Sequence, residues 1–152
     1  MHIVLVEPEI PANTGNIART CSVTGTTLHL VHPLGFSVDD RHLKRAGLDY
    51  WRLLKIHHYN SLTEVLQRYP GQKFWLATTR GQNYYTDVKY GLDDLLVFGK
   101  ETCGLPRDLI AAHHDKCIRI PMLESARSMN LSNSVAVVLF ESLRQQGFPG
   151  MQ

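Results

Sequence analysis

No apolar run in this chain approaches the roughly 20 residues a bilayer-spanning helix needs, and the opening MHIVLVEPEIP lacks a basic region and a small-residue cleavage site. A cytoplasmic protein is the expectation. Cysteine is scarce: Cys21, Cys103 and Cys117 are odd in number and widely spaced, which fits reduced thiols better than a disulfide frame or a zinc site. No GxGxxG follows the first apolar run and no GxxxxGK[ST] occurs anywhere, which argues against a nicotinamide enzyme and a nucleotide hydrolase. The absence of GxSxG argues against an α/β-hydrolase elbow. His57-His58 and His113-His114 are adjacent pairs, and neighbouring residues point in different directions on a strand or a helix. They read as surface histidines, and no metal is expected. Charge of one sign is also lacking: a net charge of +2 decides nothing about nucleic acid, so any RNA contact must come from a local patch.

What the chain does have is 152 residues at 43% hydrophobic content, enough for one domain, 1–152, with a real core. HIVLV at 2–6 is the continuous β-branched run of a buried parallel strand. EPEIPANTGN follows as a loop in which Asn13 or Asn16 is expected to cap a helix ending at Gly25, with Ile17, Ala18 and Cys21 facing the sheet. TLHLV at 27–31 is a second strand. DDRHLKRAGL suggests a short helix with acidic residues at its start and Arg41, Lys44 and Arg45 on one face. SLTE at 61–64 matches a capping box opening a helix that stops before Pro70. Strands are expected at 73–79, 95–99 and 118–120, with RGQNYYTDVKYG as a loop and a helix starting at Pro106. Alternating strands and helices predict a mostly parallel sheet flanked by helices on both faces.

The segment Ile118–Gly147 organises the rest. A short strand stops at Pro121, a long polar loop carries Glu124, Ser125, Arg127, Ser128, Asn130, Ser132 and Asn133, and an apolar helix runs from Val135. A mere connector would take two to six residues, so a loop this long and polar is a place to look for a site. The helix, apolar on more than one face, should be covered by the sheet and by a second subunit. Ligands of parallel α/β sheets bind beyond the carboxyl ends of strands. Four loops follow strands here: PANTGN, ATTRG, FGKETCGLP and the Ser128 loop. FGKETCGLP and IRIPM each end an apolar strand in a turn that exposes backbone donors and acceptors able to read a purine edge.

NTGNIAR at 13–19, LVFGKETCGLP at 96–106 and IRIPM with SMNLSNSVAVVLFE at 118–141 resemble the three motifs of the SPOUT class of RNA 2′-O-ribose methyltransferases. The opening IVLVEPEIPANTGNIART, the HPLGF turn, DDRHLKRAGLDY and the C-terminal GFPG resemble the subfamily acting on the tRNA wobble cytidine or modified uridine. The resemblance implies an α/β fold with a C-terminal trefoil knot, a homodimer, and S-adenosylmethionine held in the knot. By position it implies a cofactor pocket of Ala77, Thr78, Gly99, Glu101, Gly104, Leu105, Ile120, Met122, Ser128 and Leu131. Arg19 would stand near the target ribose with Asn13, Ser128 and Asn130 around it. Two departures stand out: Cys103 where a polar residue is common, and ESA before Arg127 where PDS is common, which sets Glu124 beside the substrate entrance.

The chemistry so implied is attack of a ribose hydroxyl, a poor nucleophile, on a sulfonium methyl. A guanidinium holds its proton to about pH 12, so Arg19 is expected to anchor a phosphate and stabilise developing negative charge rather than act as a base. Arg41, Lys44, Arg45 and Arg127 are candidates for tRNA phosphates, the plainer account being solvated surface. Tyr50, Tyr84 and Tyr85 are candidates for stacking on anticodon bases, the plainer account being packing. The competing readings are a relative acting on another tRNA or rRNA ribose and a catalytically silent RNA-binding module on the same scaffold.

Overall fold

The computed structural model describes residues 1–37 and 54–152. The helix expected at 39–48, and with it Arg41, Lys44, Arg45 and Tyr50, lies outside the described residues. The strands are β1 (His2–Val6), β2 (Thr27–Val31), β3 (Ile56–Tyr59), β4 (Phe74–Ala77), β5 (Asn83–Tyr84), β6 (Leu95–Phe98) and β7 (Cys117–Arg119). The α-helices are α1 (Pro11–Thr24), α2 (Leu62–Arg68), α3 (Arg107–Ala112) and α4 (Leu131–Gln145), with a 3-10 turn at His114–Lys116. They form one sheet ordered β3-β2-β1-β6-β4-β7-β5, parallel at every pairing.

Two cores lie on the two faces. Ile3, Leu5, Leu28, Leu30, Leu96 and Ile118 turn to one face, where Ile17, Ala18 and Cys21 of α1 and Val135, Val138 and Leu139 of α4 cover them. Val4, Val6, Val31, Leu76, Leu95 and Val97 turn to the other, against Val65 of α2 and Leu109 and Ile110 of α3. Alternation along each strand assigns the faces, and burial on both is why HIVLV carries no solvent-facing residue beyond its first. The order places β7 between β4 and β5. The last strand is thus inserted between two that precede it, and it opens directly onto the Ser128 loop.

The expected caps are partly corrected. Helix α1 begins at Pro11 with Ile10 as its cap residue and no side-chain cap, so Asn13 and Asn16 sit inside the helix. Proline at the first position fits because its ring presets φ and its missing N–H is one the helix leaves unpaired anyway. Gly25 ends the helix at φ 66 as expected. Ser61 Oγ accepts from the Glu64 N–H at 3.2 Å, while the Glu64 carboxylate reaches the Asn60 N–H at 2.7 Å, one residue earlier than in the standard box. Pro106 is the cap of α3 rather than its first residue, and within the segment read as a loop Asn83 and Tyr84 pair with Ile118 and Arg119.

Candidate active site

Beyond the carboxyl ends of β1, β4, β6 and β7 lies a cavity of about 990 Å³, at the upper end of the size of ligand pockets. All ten residues of the expected cofactor pocket line it: Ala77, Thr78, Gly99, Glu101, Gly104, Leu105, Ile120, Met122, Ser128 and Leu131. Its apolar wall is completed by Ile118 and Val138. The turn from Lys100 to Gly104 closes on itself, with the Gly104 N–H donating to the Lys100 carbonyl at 2.9 Å. Gly99 is required there, since a Cβ would stand 2.2 Å from the Gly104 carbonyl carbon. A slot walled by Leu105, Ile118, Ile120, Met122, Leu131 and Val138, with the close-packed turn at 99–104 at one side, suits a purine and an aliphatic chain. On that ground the residues present fit S-adenosylmethionine.

One carboxylate holds the site together. Glu101 Oε2 accepts from the Glu9 N–H at 2.8 Å, and Oε1 from the Ile10 N–H at 3.2 Å and Asn13 Nδ2 at 3.1 Å. It therefore satisfies the N–H groups of the two residues just before α1, where the helix dipole also favours negative charge. The clasp is reciprocal: Glu9 Oε2 accepts from the Thr102 N–H at 3.1 Å and from Thr102 Oγ1 at 2.8 Å, and these bonds hold the Glu9 carboxyl below its ordinary range. Asn13, buried, takes Asn130 Nδ2 on its own Oδ1 at 3.0 Å. Asn130 Oδ1 in turn caps α4 through the Ser132 and Asn133 N–H groups at 2.9 and 3.3 Å. A single chain of polar bonds thus links the loops after β1, β6 and β7.

Of the residues expected around the ribose, Asn13, Ser128 and Asn130 line the cavity. Arg19 is exposed on α1 and is not among the lining residues. Asn13 has both ends of its amide engaged, so in this geometry it positions rather than reacts. Arg127 lines the cavity, Tyr84 is 41% exposed, and Tyr85 packs against the core.

Sequence reasoning missed Glu7 and Lys100, which pair at 2.6 Å inside the lining. Glu7 takes a left-handed φ of 50, uncommon for a residue with a side chain. It also missed Arg80 and Arg107, which stand outside the three motifs, and Arg119, which lies within IRIPM. A different surprise lies across the sheet, where His29 is fully buried on β2. Its Nε2 stands 2.9 Å from His2 Nδ1 and its ring stacks on His57 at 5.4 Å. Burial drives the pKa of His29 down to about 3 and that of His2 down to about 4. Among the described residues no group of three His, Cys, Asp or Glu could hold a metal ion, and no helix is long and apolar enough to cross a membrane.

Residues 1–140 match the SpoU rRNA Methylase family. The tRNA (cytidine(34)-2′-O)-methyltransferase of Escherichia coli strain K12 is 46% identical over 151 residues, covering 99% of this chain and 96% of its own length. A structure described as giving insight into 2-OH methylation of C/U34 on tRNA superposes with a TM-score of 0.91 at 39% identity, covering 96% of this chain and 95% of that one. An AdoMet-bound rRNA methyltransferase from Sinorhizobium meliloti superposes with a TM-score of 0.83 at 27% identity, over 94% of this chain and 55% of that one. With its motif loops gathered on one cavity and its whole length shared with such enzymes, this chain belongs to the SpoU rRNA methylase family.

Proposed function

We propose that the protein is a tRNA 2′-O-methyltransferase acting on the anticodon wobble nucleotide, cytidine or modified uridine, with S-adenosylmethionine as methyl donor. The observation that carries this reading is the gathering of all ten expected pocket residues on one cavity, in a chain 46% identical to a relative named for position 34. The bound donor would supply a methyl group on a sulfonium centre. Everything else falls to the chain. Gly99, Leu105, Ile120, Met122 and Leu131 enclose the donor and exclude water. Glu101 fixes the loop after β1 against the loop after β6. Ser128 and Asn130 offer a hydroxyl and an amide at the cavity edge to orient the ribose.

Arg19 supplies positive charge for the phosphate and the developing oxyanion. Because it is exposed and outside the lining of its own cavity, it serves the cavity of a second copy, and the working unit is a homodimer. Two observations support this: Phe140 on α4, the helix packed beside α1, is 45% exposed, and Leu123 in the Ser128 loop is 81% exposed. The insertion of β7 between β4 and β5 supports a knotted C-terminal segment within a single domain, and a cytoplasmic setting fits a tRNA substrate.

The test is transfer of labelled methyl to unfractionated tRNA by wild type and Arg19→Ala, with the modified nucleotide mapped. A wobble 2′-O-methyl that vanishes in Arg19→Ala is the expected result, and modification at another ribose overturns the wobble assignment. Co-expression of Arg19→Ala with Gly99→Ala chains tests the shared site: mixed dimers regain activity if Arg19 acts across the interface and stay inactive if it acts within its own chain.

A further inference from the structure

The cavity has an arginine-rich side that neither the motifs nor the cofactor explains. Arg80, Arg107, Arg119 and Arg127 all line it. Its lining carboxylates are already spoken for: Glu7 is paired with Lys100, and Glu101 accepts three N–H groups. None of Arg80, Arg107 and Arg119 has a carboxylate partner among the described residues. Three elements bring them together. Arg80 precedes Gly81, which lies so close to β7 that a Cβ there would stand 2.7 Å from the Ile118 carbonyl carbon. Arg119 ends β7. Arg107 opens α3, whose Ile110 carbonyl lies 3.8 Å from Cys117 Sγ on the same strand.

Arg119 is the most informative of the three. Its guanidinium lies over the Tyr84 ring at 4.8 Å, a cation–π contact that holds it in place. Its Nε is buried without any hydrogen-bond partner, although a buried donor left unmet is costly. A guanidinium held against an aromatic ring, with two exposed arginines lining the same cavity, matches a phosphate oxygen rather than a neutral group. No ion pair within the described residues accounts for three guanidinium groups in the lining of one cavity.

We infer that Arg80, Arg107 and Arg119 form a phosphate-binding rim that receives the RNA backbone next to the target nucleotide, with Arg119 stacked on Tyr84 as its fixed point. The inference rests on the RNA-methyltransferase reading above and adds to it where the backbone runs. It places RNA contacts on the α3 side of the cavity, in addition to those expected from Arg127.

The test is the salt dependence of binding to an anticodon stem-loop, for wild type, Arg80→Ala/Arg107→Ala and Arg119→Met, alongside cofactor affinity by calorimetry. Each phosphate contact on a single strand contributes about 0.7 to the slope of log affinity against log salt. The double variant should therefore lose about 1.4 from the slope, so that raising salt fourfold costs it about 7-fold less affinity than it costs wild type. Arg119→Met should lose about 0.7 of slope while its melting temperature holds or rises, because an unmet donor is removed. Unchanged slopes, or a fall in cofactor affinity with RNA binding intact, would overturn the rim. A wild type that shows the arginine-dependent slope but modifies no wobble ribose would sustain the rim and overturn the proposed function instead.

Discussion

Replacing Glu101 by Gln changes one oxygen to an NH₂ group and leaves the shape of the side chain. In the wild type both oxygens accept, from the Glu9 and Ile10 N–H groups and from Asn13 Nδ2. Whichever way the Gln amide is turned, a donor then faces a donor, and the negative charge at the start of α1 is gone. Hydrogen bonds to a charged group are worth about 1.5–3 kcal/mol each. The half-exposed setting and the other bonds of the clasp reduce the net loss to roughly 2 kcal/mol. In a chain of 152 residues that is a fall in melting temperature of about 4–8 °C. The same loop frames the cavity, so cofactor affinity should fall about tenfold or more, an effect of 1.4 kcal/mol. Urea and thermal unfolding measure the first quantity and calorimetry the second. An E101Q protein that melts with wild type would refute the clasp, and one that is destabilised but binds cofactor normally would refute its role in shaping the site.

Acid should loosen the β2–β3 side of the sheet before carboxylates titrate. His29 and His2 are neutral in the folded chain, with pKa values of about 3 and about 4, against about 6.5 when unfolded. The unfolded chain binds more protons below that value, so this stability is whole above about pH 6.5 and is lost as pH falls toward 4 and 3. Between pH 7 and 5 the loss should be roughly 2 kcal/mol after allowance for solvent screening at half-buried His2, and a flat urea midpoint over that range contradicts it. Gly99→Ala should abolish cofactor binding, because the added Cβ meets the Gly104 backbone at 2.2 Å; calorimetry showing wild-type affinity sinks that view. Asn130→Ala removes the α4 cap and the bond to Asn13, and should cost about 1–2 kcal/mol in urea unfolding. Alkylation of the native protein should reach exposed Cys103 and spare buried Cys21 and Cys117, with all three reacting only on unfolding; burial also pushes the Cys21 thiol up to about 12.

Much of the fold was legible because each strand declares itself locally. HIVLV, TLHLV and LLVFG are short β-branched or aliphatic runs ended by turn residues, and each became a strand at or within a residue of the expected place. Part of the pocket was legible for a different reason: the strand-end loops marked where a ligand would bind, and the resemblance to a known family named ten residues in or beside them. The start of α1 was misjudged because Pro11 opens it without a side-chain cap, and the N–H groups just before it are met by Glu101, about ninety residues away, which no local pattern announces. The bonds of Asn13, expected only to stand near the ribose, were hidden for the same reason, since its two partners, Glu101 and Asn130, become visible only when three loops meet.

The sequence by itself determined the parallel α/β class and the positions of most elements, because these follow from side-chain periodicity, and through its resemblance to a known family it pointed to ten of the residues that line the cavity. Only the tertiary structure decided which groups are free to act. It engaged Glu101 and Asn13 in holding loops together, left Arg19 outside the cavity of its own chain, buried His29 beside His2, and brought Arg80, Arg107 and Arg119 from separate parts of the chain into the lining of one cavity. The physical reason is that chemistry depends on unmet hydrogen-bonding groups and unpaired charge, and whether a group is met is settled by partners remote in sequence.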